Sequence, residues 1–254
     1  MENLSSWQKE IYARNIALSE VGEAGQKKLL ESAVLVVGCG GLGSSALLYL
    51  AAMGIGRIGL CDGDKVAPSN FNRQILYAQV DLGRLKVEAT AQRLLQLRPD
   101  LKIDLYPDFF TRENGAAIAG KNYQIVLDCL DNLPSRFILN DVCLELGLPF
   151  VHAGVYKFFG QTMTVIPGQG PCLRCLFPSE EAALKRTANT VKEGMLGITP
   201  GIFGTLQALE ACKYLLGLPV NSNSLLFLNG LEMAIDKHKI EPRPDCSCQV
   251  KVRF

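Results

Sequence analysis

The chain carries no surplus of charge of either sign: 26 Lys and Arg stand against 25 Asp and Glu in 254 residues. So balanced a chain exerts no bulk pull on nucleic acid or on an anionic membrane surface, although a local basic pocket stays compatible with it. No apolar run reaches the ~20 residues that a membrane-spanning helix needs. Residues 1–10 are polar and contain no apolar signal-peptide segment. These absences lead to the expectation of a cytoplasmic protein with no nucleic-acid or membrane partner. Histidine is scarce as well: His152 and His238 are the only two, and neither is well placed for hydride chemistry. Internal repeats and low-complexity tracts are missing.

Cysteine, by contrast, occurs nine times. In a cytoplasmic chain this argues against a disulfide framework. Cys39, Cys61, Cys129, Cys143 and Cys212 sit in apolar surroundings and read as core filler. The other four form two tight pairs far apart in sequence, Cys172 with Cys175 and Cys246 with Cys248. Four thiolates so arranged suit a closed, tetrahedral structural Zn²⁺ that pins the C-terminal tail to the loop holding the first pair. With four protein ligands the ion has no open position and no catalytic role. A redox pair is the competing reading. It is disfavoured because Cys172 follows a proline in a loop instead of opening a helix near a strand.

Hydrophobic residues make up 48% of the chain, enough for the core of one large α/β domain. Two short helices are expected over residues 6–31, split near residues 19–22. Strands are expected at 33–37, 57–61, 102–106 and 124–128. Helices are expected at 42–53, 86–97 and 134–146. Strands alternating with helices indicate a Rossmann-like, doubly wound, mainly parallel sheet. From Phe150 the rhythm changes. Residues 150–155 and 161–166 read as an antiparallel extension, followed by a helix at 202–216 and closing strands at 225–228 and 233–237. Residues 167–200 show no clear period, which is long for a loop and points to function or to metal stapling. The chain is therefore read as a single domain, 1–254, of two halves, 1–150 and a zinc-stapled 151–254.

Gly38, Gly40 and Gly43 fit the pattern G-x-G-x-x-G between a strand and a helix. Glycines let the backbone approach phosphates, and the helix opening at Gly41 offers amide hydrogens and a positive dipole end. Asp62 follows about twenty residues later at the end of the second strand, where a carboxylate can accept from a ribose; Asp64 lies beside it. A dinucleotide-dependent oxidoreductase is the default for such a turn. Asn70, Arg73 and Lys86 gather amide and cationic groups after the second strand, which a polyphosphate requires and a hydride transfer does not. Asp128, Asp131 and Asn132 stand at the C-terminal end of the fourth strand, and a carboxylate beside phosphates suggests Mg²⁺. Asp131 or Asn132 can equally cap the helix that follows.

Taken with Gly25, Gln26 and Leu29 before the first strand, the linked blocks Gly38 to Gly43, Ser69 to Gln74, Gly83 with Lys86, Asp128 to Asn132 with Arg136 and Asn140, Pro171 to Leu176, and Gly197 to Gln207 resemble the bacterial ubiquitin-activating-enzyme-like adenylyltransferases, the MoeB, ThiF and HesA family. The resemblance covers nearly the whole chain and implies a nucleotide-binding half at 1–150 and a carrier-binding half at 151–254. It implies an enzyme that uses ATP to convert the C-terminal Gly-Gly carboxylate of a ubiquitin-like sulfur-carrier protein to an acyl-adenylate, releasing pyrophosphate. It implies a catalytic set of Arg14, Arg73, Lys86 and Asp131. The nucleotide set is Gly38, Gly40, Gly41, Gly43, Asp62, Asp64, Asn70, Arg73, Gln74, Lys86, Asp131 and Asn132. Asp62 would hold the ribose and Asp131 the Mg²⁺. Arg14 would reach the partner subunit's ATP site, hence a homodimer. The stretch from 178 to 195, where several relatives carry a cysteine, has none here, with Thr190 near that position; adenylation without a covalent carrier adduct from this stretch is expected. Six residues follow Cys248, so sulfur is expected from a separate donor. A same-fold, ATP-dependent tRNA threonylcarbamoyladenosine dehydratase and a nucleotide-sensing module without turnover are the alternatives.

Overall fold

The computed structural model of the protein describes residues 3–177, 194–246 and 248. Its strands are β1 Ala33–Val37, β2 Arg57–Cys61, β3 Lys102–Tyr106, β4 Ile125–Asp128, β5 Phe150–Tyr156, β6 Phe159–Val165, β7 Ser224–Asn229 and β8 Ala234–Lys239. They form one sheet in the order β3-β2-β1-β4-β5-β6-β7-β8. Pairing is parallel from β3 through β5 and antiparallel from β5 through β8. Chain order reverses between β1 and β4, so the crevice beyond their carboxyl ends is the place where such sheets receive ligands. Register sets that edge: Val37 of β1 is level with Cys61 of β2 and with Asp128 of β4.

The helices are α1 Ser6–Ile11, α2 Ala13–Ile16, α3 Gly22–Glu31, α4 Gly41–Met53, α5 Lys86–Leu97, α6 Arg112–Ala119, α7 Leu133–Glu145, α8 Leu173–Leu176 and α9 Ile198–Leu216. β1 is buried throughout and sorts its side chains to two cores by strand alternation. Val34 and Val36 join Leu47 and Leu50 of α4, Leu94 of α5 and Phe203 of α9. Leu35 and Val37 join Ile118 of α6, Phe137 and Leu139 of α7, and the four paired cysteines. The protein is thus three layers, with the cysteine cluster inside the α6–α7 layer. At the far edge, β8 carries Asp236, Lys237, His238 and Lys239, charged and polar groups that discourage further strand pairing.

The expected mainly parallel sheet with antiparallel extension is present, and β1, β2, α5 and β3 have the expected bounds. Differences lie where local signals compete. Residues 6–31 hold three helices rather than two, because Tyr12 breaks the first after Ile11. α6 has no counterpart among the expected elements; it opens at Thr111, whose hydroxyl caps it while Asn114 closes the reciprocal bond to the Thr111 amide. The aperiodic region holds α8, and α9 begins at Ile198 rather than 202. The cysteine-free stretch with Thr190 lies outside the described residues, apart from Gly194 and Met195. Among the described residues no helix is long and apolar enough to cross a membrane.

Phe137 joins the layers to the cysteine cluster. Its ring meets Phe177 edge-on at 6.3 Å, and the Arg174 guanidinium lies 4.9 Å from its centroid. Truncation of this buried ring, Phe137→Ala, is expected to lower unfolding stability by about 3–5 kcal/mol, read as a lower urea midpoint at unchanged slope.

Candidate functional site

Beyond the carboxyl ends of β1, β2 and β4 lies a cavity of about 530 Å³. Its floor is the glycine turn. Gly38 has a φ of +101°, and a Cβ there would stand 2.5 Å from the Cys129 carbonyl oxygen. Only glycine tolerates both the left-handed backbone and that approach. Gly38 donates its amide to the Cys61 carbonyl at 2.8 Å, tying the turn to β2. Gly40 and Gly41 line the cavity, while Gly43 packs behind them: a Cβ on it would meet the Gly38 oxygen at 2.1 Å.

Asp62 completes the turn. Its Oδ2 accepts from the Cys39 amide at 2.7 Å and its Oδ1 from the Asp64 amide at 2.8 Å. Burial pushes its carboxyl up from the ordinary range, against the opposing pull of the Lys86 ammonium and the two amides. Lys86 opens α5; its side chain is 7% exposed, and its ammonium bonds the Asp64 carboxylate at 2.7 Å. Asp64 and Lys86 both line the cavity. Arg73 comes from the loop after a short 3₁₀ turn at Pro68–Asn70. One arm of its guanidinium donates to the Ser69 carbonyl at 2.8 Å and to Asn72 Oδ1 at 2.9 Å, which fixes the direction of the fork. Gln74 is 4% exposed and lines the cavity, and its Oε1 is the buried side-chain oxygen that finds no protein partner among the described residues.

Across the crevice, Asp131 and Asn132 follow β4. Both are exposed and line the cavity. Asn132 caps α7, its Oδ1 accepting from the Ser135 amide at 2.9 Å, and its amide group donates to Asp131 at 3.3 Å. Behind them Asp128 accepts from His152 Nδ1 at 2.7 Å, fully buried. Burial holds the His152 imidazole below its ordinary range, with the Asp128 hydrogen bond opposing. The Arg136 guanidinium also lies 3.1 Å from Nδ1 and 3.5 Å from the Asp128 carboxylate. Arg136 donates to the Ala153 and Leu130 carbonyls, bracing the chain just before Asp131.

Besides Gly43, two further expected residues stand outside the lining. Asn70 does not line the cavity; it is buried behind the wall, its Oδ1 accepting the Ala67 amide at 2.9 Å. Arg14 is exposed on α2 and outside the lining. Conversely, Asn72, Phe109, Arg136, Met195 and Pro200 line the cavity without having been assigned to it. Asn72 and Arg136 fall within recognisable blocks; Phe109 and Met195 carry no local signal. Phe109 lies against Gly63, where a Cβ would stand 2.9 Å from its ring.

The four paired cysteines converge: their sulfurs all lie within 4.8 Å of one another, with Cys172 to Cys246 at 3.6 Å and Cys175 to Cys248 at 3.5 Å. A tetrahedral ion with sulfur ligands at ~2.3 Å sets sulfur–sulfur edges of about 3.8 Å, so the cluster fits a metal ion. Contrary to the sequence reading, Cys172 does cap a helix, the single turn α8. The neighbouring thiols of Cys246 and Cys248 still favour a closed four-ligand set over a redox pair. Cys39, Cys61, Cys129, Cys143 and Cys212 are buried, as expected of core residues, although Cys61 and Cys129 also reach the cavity wall.

The model of the ThiF family matches residues 12–250. The chain belongs to the ThiF family. Among the curated relatives of this ThiF-family chain is the SAMP-activating enzyme E1 of Haloferax volcanii, 40% identical over 96% of this chain and 90% of the relative. The sulfur carrier protein adenylyltransferase of Thermus thermophilus is 38% identical over 94% and 91%. Against the pig adenylyltransferase and sulfurtransferase MOCS3, 39% identical, the chain spans about half the relative's length, 52%. The fold is shared with E. coli MccB, at a TM-score of 0.82 and 22% identity, covering 97% of this chain and 75% of that one.

His152 generates a pH test. Its folded-state proton affinity lies below the unfolded value near 6.5, so the unfolded chain binds the extra proton and stability falls with acidification through that value. Urea unfolding between pH 7.5 and 5.5 is expected to show this decline, and His152→Gln is expected to flatten it.

Proposed function

We propose that the chain is an ATP-dependent adenylyltransferase that activates the C-terminal Gly-Gly carboxylate of a ubiquitin-like sulfur-carrier protein. The activities for which the Haloferax and Thermus relatives are named support this reading. The observation that carries it is the convergence of the glycine turn, Arg73, Lys86 and Asp131 on one cavity. A glycine floor at a helix N-terminus, two cations and a carboxylate are what a nucleoside triphosphate with a divalent ion calls for.

The carrier carboxyl, with an ordinary pKa near 3.5, is ionised at neutral pH, so no general base is required. One carboxylate oxygen forms a bond to the α-phosphorus as the bond from that phosphorus to the bridging oxygen breaks. The leaving electron pair departs on pyrophosphate. The barrier is the approach of two anions and the charge growing on the leaving group. Gly40 and Gly41 offer backbone to the phosphates, Asp62 the ribose contact, and Arg73 and Lys86 the compensating charge. Lys86 turns from Asp64 toward phosphate when nucleotide enters. Mg²⁺ held by the exposed Asp131 carboxylate would add neutralising charge at the phosphates. Asn70 serves by shaping the loop that aims Arg73. Arg14, outside the lining of its own cavity, completes the site of a second copy in a homodimer. The cysteine cluster takes Zn²⁺ as a structural ion: four thiolates are the donor set for it, and none of them faces an open position. All nine cysteines are buried, and the reading leaves sulfur to a separate donor.

Pyrophosphate exchange into ATP is expected only with a carrier ending in Gly-Gly, and Arg73→Ala is expected to lower its rate roughly 10²- to 10³-fold. ATP hydrolysis that responds to tRNA and not to carrier would overturn the reading. The purified protein is expected to hold one zinc per chain by elemental analysis, and Cys175→Ser to lose it together with several degrees of thermal midpoint; a metal-free, equally stable native protein would remove the zinc assignment.

A further inference from the structure

Gly197, the residue that opens α9, touches the loop that carries Arg73. A Cβ on Gly197 would lie 2.1 Å from the Asn72 carbonyl oxygen, 3.1 Å from the Asn72 carbonyl carbon and 3.3 Å from the Arg73 Cβ. Backbone conformation does not explain the glycine: φ is −59° and ψ −22°, ordinary helical values open to any residue. Its side chain is missing because another backbone occupies the space. The segment holding Gly197 is itself anchored. Met195 bridges to Lys157 at the β5–β6 turn, and the Lys157 carbonyl accepts from the Leu196 amide at 3.2 Å and from the Thr199 hydroxyl at 3.1 Å. On the other side Pro200 would touch a Cβ on Gly41 at 3.0 Å, so the same segment backs the glycine turn. Met195 and Pro200 both line the cavity.

We propose that Gly197 is a positioning residue for Arg73: its bare backbone is the stop against which Asn72 and Arg73 rest. The inference builds on the role given to Arg73 above. Asn72 is the residue whose side-chain oxygen receives the Arg73 guanidinium, so moving the Asn72 backbone moves the guanidinium with it. Ordinary contact begins at 3.4 Å, against the 2.1 Å available, so an added methyl displaces one backbone by about 1 Å. Misplacement on that scale costs roughly 10²-fold in rate when the displaced group acts on the transition state.

The test is a double-mutant cycle in carrier-dependent pyrophosphate exchange, with a panel of Gly-Gly-terminated carriers as probes. Gly197→Ala is expected to lower kcat roughly 10²-fold with KM for ATP moved much less. In an Arg73→Ala background the same substitution is expected to change kcat by no more than about twofold. Gly201→Ala, one turn along α9 where nothing lies within 4 Å of the new methyl, is the control and is expected to match wild type. The amplitude of the first-turnover pyrophosphate burst counts folded sites, so a loss through misfolding lowers amplitude instead of kcat. Unchanged kcat in Gly197→Ala, a purely amplitude loss, or full multiplication of the two effects in the double variant overturns the inference alone. A wild-type protein with no carrier-dependent exchange, or Arg73→Ala equal to wild type, overturns the proposed function and the inference with it.

Discussion

The Asp62 carboxylate is the constraint on which the site depends. Both of its oxygens accept backbone amides, one from the glycine turn and one from its own strand end. Together with the Gly38 amide bonded to Cys61, this splints the turn to β2. A buried carboxylate so engaged is costly to desolvate and is compensated by hydrogen bonds and by the nearby Lys86 ammonium. The same group that could meet a ribose therefore also builds the cradle beneath it, and its loss would remove structure and binding together.

Two walls complete that cradle, and each is held by long-range contacts. The β4 side is braced from behind by the buried set of Asp128, His152 and Arg136, whose guanidinium reaches the Leu130 carbonyl next to Asp131. The other side is braced by the entry of α9 against the Arg73 loop. The cysteine cluster performs a comparable task one layer away, drawing residues 246 and 248 onto α8 and, through Phe137, onto α7. Each brace joins segments far apart in the chain and ties the cavity walls to the layers behind them.

Much of the architecture was legible in the sequence because its causes are local. Alternation and apolar runs marked β1, β2 and β3, helical spacing marked α5, and Gly38, Gly40 and Gly43 marked the turn. α6 was missed because its start rests on a reciprocal Thr111–Asn114 bond rather than on an apolar stripe. Asn70 stands beside Arg73 in sequence, yet its Oδ1 accepts the Ala67 amide and the residue lies outside the cavity lining. Its neighbour Asn72 faces the cavity instead, a choice made by the 3₁₀ turn over Pro68–Asn70. Phe109 was invisible because nothing near it in sequence reports that Gly63 makes room for its ring.

By itself the sequence determined the kinds of group available and the order of strands and helices, since period, caps and glycine spacing act within a few residues. It also determined the family, through many short blocks in fixed succession. Only the tertiary structure decided which oxygens were already spoken for and that Gly197 rests on Asn72. Those facts depend on close approach between segments separated by scores of residues, and such distances are set by how the layers pack, not by any local pattern.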